Sequence, residues 1–149
     1  MRIALAQINP TVGDFEANCA KICSTIELAS SQGADLVLFP ELCVPGYPPR
    51  DLLLRKGFVE RNLESVERIA STCKDIVAVV GFASPNINES GKKLFNAAAI
   101  CGEGRVLQTY RKRLLPTYDV FDETRYFAPG SKSDPLTITA SGKSIRLGV

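Results

Sequence analysis

The chain of 149 residues contains no histidine. That absence removes Ser-His-Asp and Cys-His catalysis from these residues, so any nucleophile must be served by a carboxylate or a lysine. Zinc-type CxxC spacing is missing too: the five cysteines stand at 19, 23, 43, 73 and 101, an odd and scattered set. Neither a structural metal nor a disulfide framework is expected. Cys19 and Cys23 fall on helical positions, and Cys73 and Cys101 lie in apolar surroundings, so core packing accounts for them. No apolar run approaches membrane-spanning length, and Met1–Ile8 is too short and interrupted for a signal segment; the expectation is a cytoplasmic protein with no membrane partner. Eighteen Lys and Arg against sixteen Asp and Glu leave no basic face, which argues against a nucleic-acid partner. No P-loop pattern occurs, so no ATP segment is expected here.

What is present suits one globular α/β domain, with 45% hydrophobic and 23% charged residues. A first strand spans Arg2 to Ile8, and a polar turn ending in Asp14 follows. Phe15, Cys19, Ile22, Ile26 and Ala29 then recur at helical intervals, with Asp14 able to cap that helix and Gly33 to end it. Ala34 to Phe39 is a short apolar run bounded by Gly33 and Pro40, which predicts a buried strand. A loop follows from Pro45 to Pro49. Val59, Leu63, Val66, Ala70 and Cys73 predict a second amphipathic helix that ends near Lys74. Asp75 to Phe82 is the next strand, and Ser84 to Lys93 a polar, exposed loop. Leu94 to Cys101 and Arg105 to Tyr110 flank Gly102-Glu103-Gly104 as a hairpin whose turn type the sequence does not fix. Arg111 to Gly130 is a long irregular stretch, too apolar and aromatic for a disordered linker. Final strands are predicted over Leu136–Thr139 and Ser144–Val149. The last of these stops without a turn or polar tail, as if a sheet were cut while being built.

Against this frame a few residues are candidates for chemistry. Glu41 is a lone carboxylate at the end of the second strand, and in open α/β sheets groups at the carboxyl ends of strands line the ligand crevice. Lys112 lies in Arg111-Lys112-Arg113, a run that by itself reads as a solvated edge. Glu123 has Arg125 and Arg113 within reach as surface partners, and Tyr47 and Tyr118 by themselves read as packing residues.

Taken together and in order, these segments resemble the nitrilase (carbon-nitrogen hydrolase) superfamily. The likeness is carried by Ile3-Ala4-Leu5-Ala6-Gln7 with Val12-Gly13-Asp14, by Phe39-Pro40-Glu41, and by Tyr110-Arg111-Lys112. Pro45-Gly46-Tyr47-Pro48 together with Leu115-Pro116-Thr117-Tyr118 and Val120-Phe121-Asp122-Glu123 makes the chain most similar to the amino-terminal glutaminase domain of glutamine-dependent NAD synthetases. The resemblance implies a four-layer α-β-β-α sandwich, of which this chain would hold a part. It also implies a Glu-Lys-Cys triad that hydrolyses a carbon-nitrogen bond through a thioester. Glu41 matches the general base, Lys112 the lysine that stabilises the oxyanion, and Glu123 a second glutamate that positions both. Tyr47 and Tyr118 match aromatic positions of the glutamine pocket. L-glutamine is then the implied substrate and a homo-oligomer the implied assembly. ATP and magnesium would be needed only by a synthetase domain that these residues do not include.

The chain departs from the family in its nucleophile. The family's cysteine follows a strand ending in Gly-Val, and this sequence stops at Gly148-Val149, so residues 1–149 are expected to be an incomplete glutaminase domain, inactive alone. Cys43, two residues after Glu41, is a poor substitute because its family position is not that of the nucleophile. Two other expectations stay open: a stand-alone amidase or carbamoylase of the nitrilase type, and a noncatalytic fragment with a binding role.

Overall fold

A computed structural model describes residues 1–87, 91–119, 121–131, 134–140 and 143–148. Parts of three expected features lie outside these residues: the tip of the polar loop at 88–90, Val120 of the aromatic motif, and the closing Val149.

Helix α1 covers Phe15–Ser31 and buries the periodic Phe15, Cys19, Ile22, Ile26 and Ala29. Its start is fixed as the sequence suggests, because the Asp14 carboxylate accepts from the Ala17 N–H at 3.1 Å. Helix α2 covers Phe58–Thr72 and lies against α1. Its expected stripe faces the core, with Val66, Ala70 and Cys73 buried and Val59 and Leu63 packed against them, and is widened by Asn62, Ser65 and Ile69, also buried. Asn62 joins this face because its amide donates to the Ala83 carbonyl at 2.8 Å and accepts from the Ala83 N–H at 3.2 Å. A polar side chain turned inward is tolerated because both ends of its amide are satisfied.

The main sheet has the order β1-β2-β3-β4-β5, from Ile3–Leu5, Leu36–Leu38, Val77–Pro85, Leu94–Gly102 and Arg105–Arg111. β1, β2 and β3 are parallel, joined through α1 and α2, and β3, β4 and β5 form an antiparallel meander. β1 is shorter than predicted because its sole neighbour, β2, is only three residues long; Ala6 adds one more bond to the Leu38 carbonyl. The β4–β5 turn is resolved in type: Glu103 and Gly104 both take positive φ between the paired Gly102 and Arg105, the geometry of a type I′ hairpin.

One face of this sheet packs on the helices. Its other face carries Leu36, Val77, Val79, Ile100 and Tyr110, which meet Ile138 from a second, two-stranded sheet, β6 (Leu136–Ala140) with β7 (Lys143–Leu147). Tyr110 pins this hairpin in place. Its hydroxyl accepts from the Leu136 N–H at 2.9 Å and donates to the Asp134 carbonyl at 2.7 Å. The described residues thus stack helices, a sheet and the beginning of a second sheet, three successive layers of an α-β-β-α sandwich. Among them no helix is long and apolar enough to cross a membrane.

The segment that carries Glu41 rides directly over β3. A Cβ placed on Gly81 would stand 2.3 Å from the Leu42 nitrogen and 2.7 Å from the Pro40 carbonyl oxygen, both backbone atoms that cannot swing aside. Gly81→Ala is therefore expected to lift the Pro40–Leu42 segment and to destabilise the fold by about 2 kcal/mol, typical of overpacking. Urea unfolding checks this as a lower midpoint; an unchanged midpoint would show that the segment does not depend on this close approach.

Candidate functional site

Four chain segments deliver side chains to one point beyond the end of β2. Phe39 still bonds the Val79 carbonyl at 3.0 Å, but Pro40 has no N–H to continue the ladder, and the chain turns. The turn is held from both sides. Val44 donates to the Gly81 carbonyl at 3.1 Å, and the buried Asn18 of α1 donates to the carbonyls of Val44 at 3.1 Å and Thr11 at 2.7 Å. Leu42 accepts a left-handed backbone, φ 47°, while its side chain is fully buried in the core. That arrangement costs about 1 kcal/mol or more and persists only where the surroundings enforce it. It leaves Glu41 facing outward over the sheet.

Asn96 of β4 and Lys112, just past β5, stand opposite one another, since the Lys112 N–H donates to the Asn96 carbonyl at 2.7 Å and prolongs the β4–β5 ladder. The Lys112 carbonyl in turn accepts from Gly130 at 2.8 Å, which folds the far end of the irregular stretch back onto the sheet. Within that stretch a 3₁₀ turn, Glu123–Arg125, carries the third charged group. Sequence reasoning singled out Glu41, Lys112 and Glu123, and the structure brings them together. The Lys112 Nζ lies 2.8 Å from Glu41 Oε1 and 2.9 Å from Glu123 Oε1. Asn96 was not anticipated. Its Nδ2 donates to Glu41 Oε1 and lies 3.5 Å from Glu123 Oε2. A signal for it did exist: a lone amide inside the apolar run Leu94–Cys101 must find a partner once buried.

Two carboxylates sharing one ammonium cannot be equivalent. The Glu123 side chain is 6% exposed and that of Glu41 44%. Burial pushes the Glu123 carboxyl up; the Lys112 ammonium opposes this, and the Glu41 charge beside it adds to the rise. Burial also acts to raise Glu41, but hydrogen bonds from Lys112 and Asn96 outweigh it and hold that carboxyl below its ordinary value. The closeness of the two carboxyls acts in opposite senses on them, lowering Glu41 and raising Glu123. For Lys112, partial burial is overridden by its two carboxylate partners, and its pKa is raised. The cluster therefore presents a firmly ionised Glu41, a firmly protonated Lys112 and a Glu123 that takes a proton more readily than an ordinary glutamate.

The aromatic candidates separate. Tyr47 lines a cavity of about 350 Å³ with Glu123, Phe121, Arg50 and Tyr126. Burial, then the Glu123 and Glu41 charges, push its phenol up, so it is a donor at neutral pH. Tyr118 is 68% exposed and not among the cavity's lining residues; its ring meets Phe121 edge-on at 5.7 Å, and Phe121 lies 6.4 Å from Tyr47. Phe121 is thus the link between the two tyrosines. On the other side of the cluster, Glu41, Asn96 and Lys112 line a second hollow of about 610 Å³ floored by Val79, Gly81 and Ala98. No cysteine lines either space. The Cys43 thiol is fully buried, donates toward the Gly81 carbonyl at 3.6 Å, and is pushed up to about 12 by burial, the opposite of an activated nucleophile.

The opposed shifts of the two glutamates have opposite signatures in stability. Glu41, depressed on folding, contributes stability above its unfolded pKa that is lost as pH falls through the lower folded value. Glu123, raised on folding, contributes stability that is complete below its unfolded pKa and lost as pH rises through the folded value. As pH rises through the carboxylate range toward the ordinary glutamate value of 4.5, the melting temperature of Glu41→Gln should fall further below the parent. That of Glu123→Gln should move the other way relative to the parent. Parallel curves for both variants would contradict this division of charge.

The sequence pattern of the carbon-nitrogen hydrolase family matches residues 2–149. The chain is 41% identical over its whole length to the glutamine-dependent NAD(+) synthetase of Thermotoga maritima, and covers 25% of that protein. It superposes with a TM-score of 0.83 on the glutamine-dependent NAD+ synthetase of Acinetobacter baumannii, at 39% identity, over 97% of this chain and 26% of the other. An amidase of a Nesterenkonia species, whose acrylamide adduct sits at its active-site cysteine, matches in fold at 28% identity with a TM-score of 0.75 over 98% of this chain and 56% of the amidase. The chain spans about a quarter of the length of the synthetases it matches. Pattern, identity and fold agree that this chain belongs to the carbon-nitrogen hydrolase family.

Proposed function

We propose that residues 1–149 supply the acid-base and oxyanion-binding half of a glutaminase site. In this reading the side-chain amide of L-glutamine is hydrolysed to glutamate and ammonia. The ammonia passes to an ATP- and magnesium-dependent synthetase domain of a longer protein, which amidates nicotinic acid adenine dinucleotide to NAD. The observation that carries the proposal is the Lys112 ammonium bonded to both Glu41 and Glu123, the latter in the wall of the tyrosine-lined cavity. The names of the T. maritima and A. baumannii relatives point to glutamine among amide substrates.

The chemistry follows from the charges. Glu41, held ionised, accepts the proton of an attacking thiol. The thiolate adds to the amide carbon, and the negative oxygen that results is met by the Lys112 ammonium. Collapse of that intermediate expels ammonia, which takes up the proton from Glu41, and leaves a thioester. Glu41 then removes a proton from water, which attacks the thioester and releases glutamate and the free thiol. Since no cysteine of this chain lines the site, the thiol in this reading comes from outside residues 1–149, and it would enter the hollow beside Glu41 and Lys112. Tyr47, kept protonated, donates to a polar group of the substrate from the cavity wall, and Tyr118 acts through Phe121.

In a protein that joins this chain to the remaining length of its relatives, Glu41→Gln and Lys112→Met should each lower glutamine-driven glutamate release by at least about a hundredfold. Synthesis driven by added ammonia should stay unchanged in both. Residues 1–149 alone should release no glutamate. Glutamine turnover that survives Glu41→Gln would sink the assignment, and a preference for acetamide over glutamine would favour a plain amidase.

A further inference from the structure

The reaction needs one particular carboxylate as base, yet two glutamates approach the same ammonium at nearly equal distance, 2.8 and 2.9 Å. Lys112 therefore does not tell them apart. The asymmetric neighbour is Asn96, 2% exposed, fixed on a central strand and unable to move without disturbing the β3–β4–β5 ladder. Its Nδ2 makes a short hydrogen bond to Glu41 Oε1 and only a 3.5 Å contact with Glu123 Oε2.

Building on the glutaminase reading, we propose that Asn96 is a positioning residue that assigns the base role to Glu41. Its amide, an obligate donor at that nitrogen, favours negative charge on the carboxylate it bonds and leaves the shared proton to the other. Beyond the deeper burial of Glu123, none of the other charged or hydroxyl groups facing the pair supplies this bias. Lys112 serves both carboxylates. Among the described residues Tyr47, in the proline loop, lies beside both carboxyls and donates to neither, while Arg111 and Arg113 line the outer hollow on the Glu41 side without an ion pair to either glutamate. Asn96 also sets the distance, because its own carbonyl receives the Lys112 N–H. One residue thus holds the base through its side chain and the lysine through its backbone.

The test is Asn96→Asp, nearly isosteric, alongside Asn96→Ala, in the protein that carries this chain together with its remaining domains. Carboxyl-¹³C NMR titration reads the two glutamates without reference to turnover. The parent should show Glu41 titrating below Glu123. In Asn96→Asp the third carboxylate should raise Glu41 by about one unit or more and close the gap, with the acid limb of kcat/KM moving up by the same amount and KM little changed. Asn96→Ala should narrow the gap less. A structural role alone would lower the melting temperature of both variants while leaving the titration order and the acid limb where they were, and that result would overturn the proposal. Should Asn96→Ala fail to fold, Asn96→Asp decides alone, and an Asn96→Asp protein that is likewise unfolded would assign the residue to stability and overturn the proposal as well. Glu41→Gln runs in parallel: if it keeps full glutamine turnover, the glutaminase reading fails, whereas its inactivity beside an unshifted Asn96→Asp titration defeats only the role of Asn96.

Discussion

The site depends on a shortage of positive charge. One ammonium, on Lys112, serves two carboxylates, and the surroundings settle which of them stays ionised. A second cation would have pinned both glutamates as anions and erased the difference between them. With one cation, burial of Glu123 and the donors gathered on Glu41 drive the two apart. In the proposed reading this does for a chain without histidine what an imidazole does elsewhere: it provides a proton acceptor and an electrostatic partner in fixed geometry.

That geometry is a property of the sheet. Gly81, Asn96 and Lys112 come from, or immediately follow, three neighbouring strands, and the pleat turns alternate residues of each strand to the same face. Glu41 reaches that face because Gly81 carries no side chain, and Glu123 because the stretch from 112 to 130 is stitched back to the strands at Ala128 and Gly130. A register slip of one residue in β5 would turn Lys112 to the helix face.

Much of this was legible in the sequence, and the exceptions have physical reasons. The periodic residues of α1 are its buried residues, and the apolar run before Pro40 is β2. The core face of α2 is broader than its apolar stripe, because hydrophobic periodicity cannot foresee a buried amide such as Asn62 that is satisfied by a distant strand. The proline loop ends at Pro49 as read, but the 3₁₀ turn Arg50–Leu54 that follows it is too short to leave a periodic signal. Family resemblance put Glu41, Lys112 and Glu123 on one list, but their spacing of 71 and 11 residues says nothing about angle or distance. Asn96 escaped notice because its partner lies 55 residues away.

The mouth of the tyrosine-lined cavity is fastened differently from its floor. Asp51, beside the proline loop, accepts from the Tyr126 hydroxyl at 2.6 Å and pairs with Arg125 at 3.4 Å, so the 3₁₀ turn bearing Glu123 is strapped to the opposite wall. These side chains are largely exposed, and dissolved salt screens such a clasp, whereas the inner cluster has a buried carboxylate and a neutral amide that ions reach far less well. Ionic strength is thus a handle that loosens the entrance while leaving the Glu41–Lys112–Glu123 cluster beneath it in register.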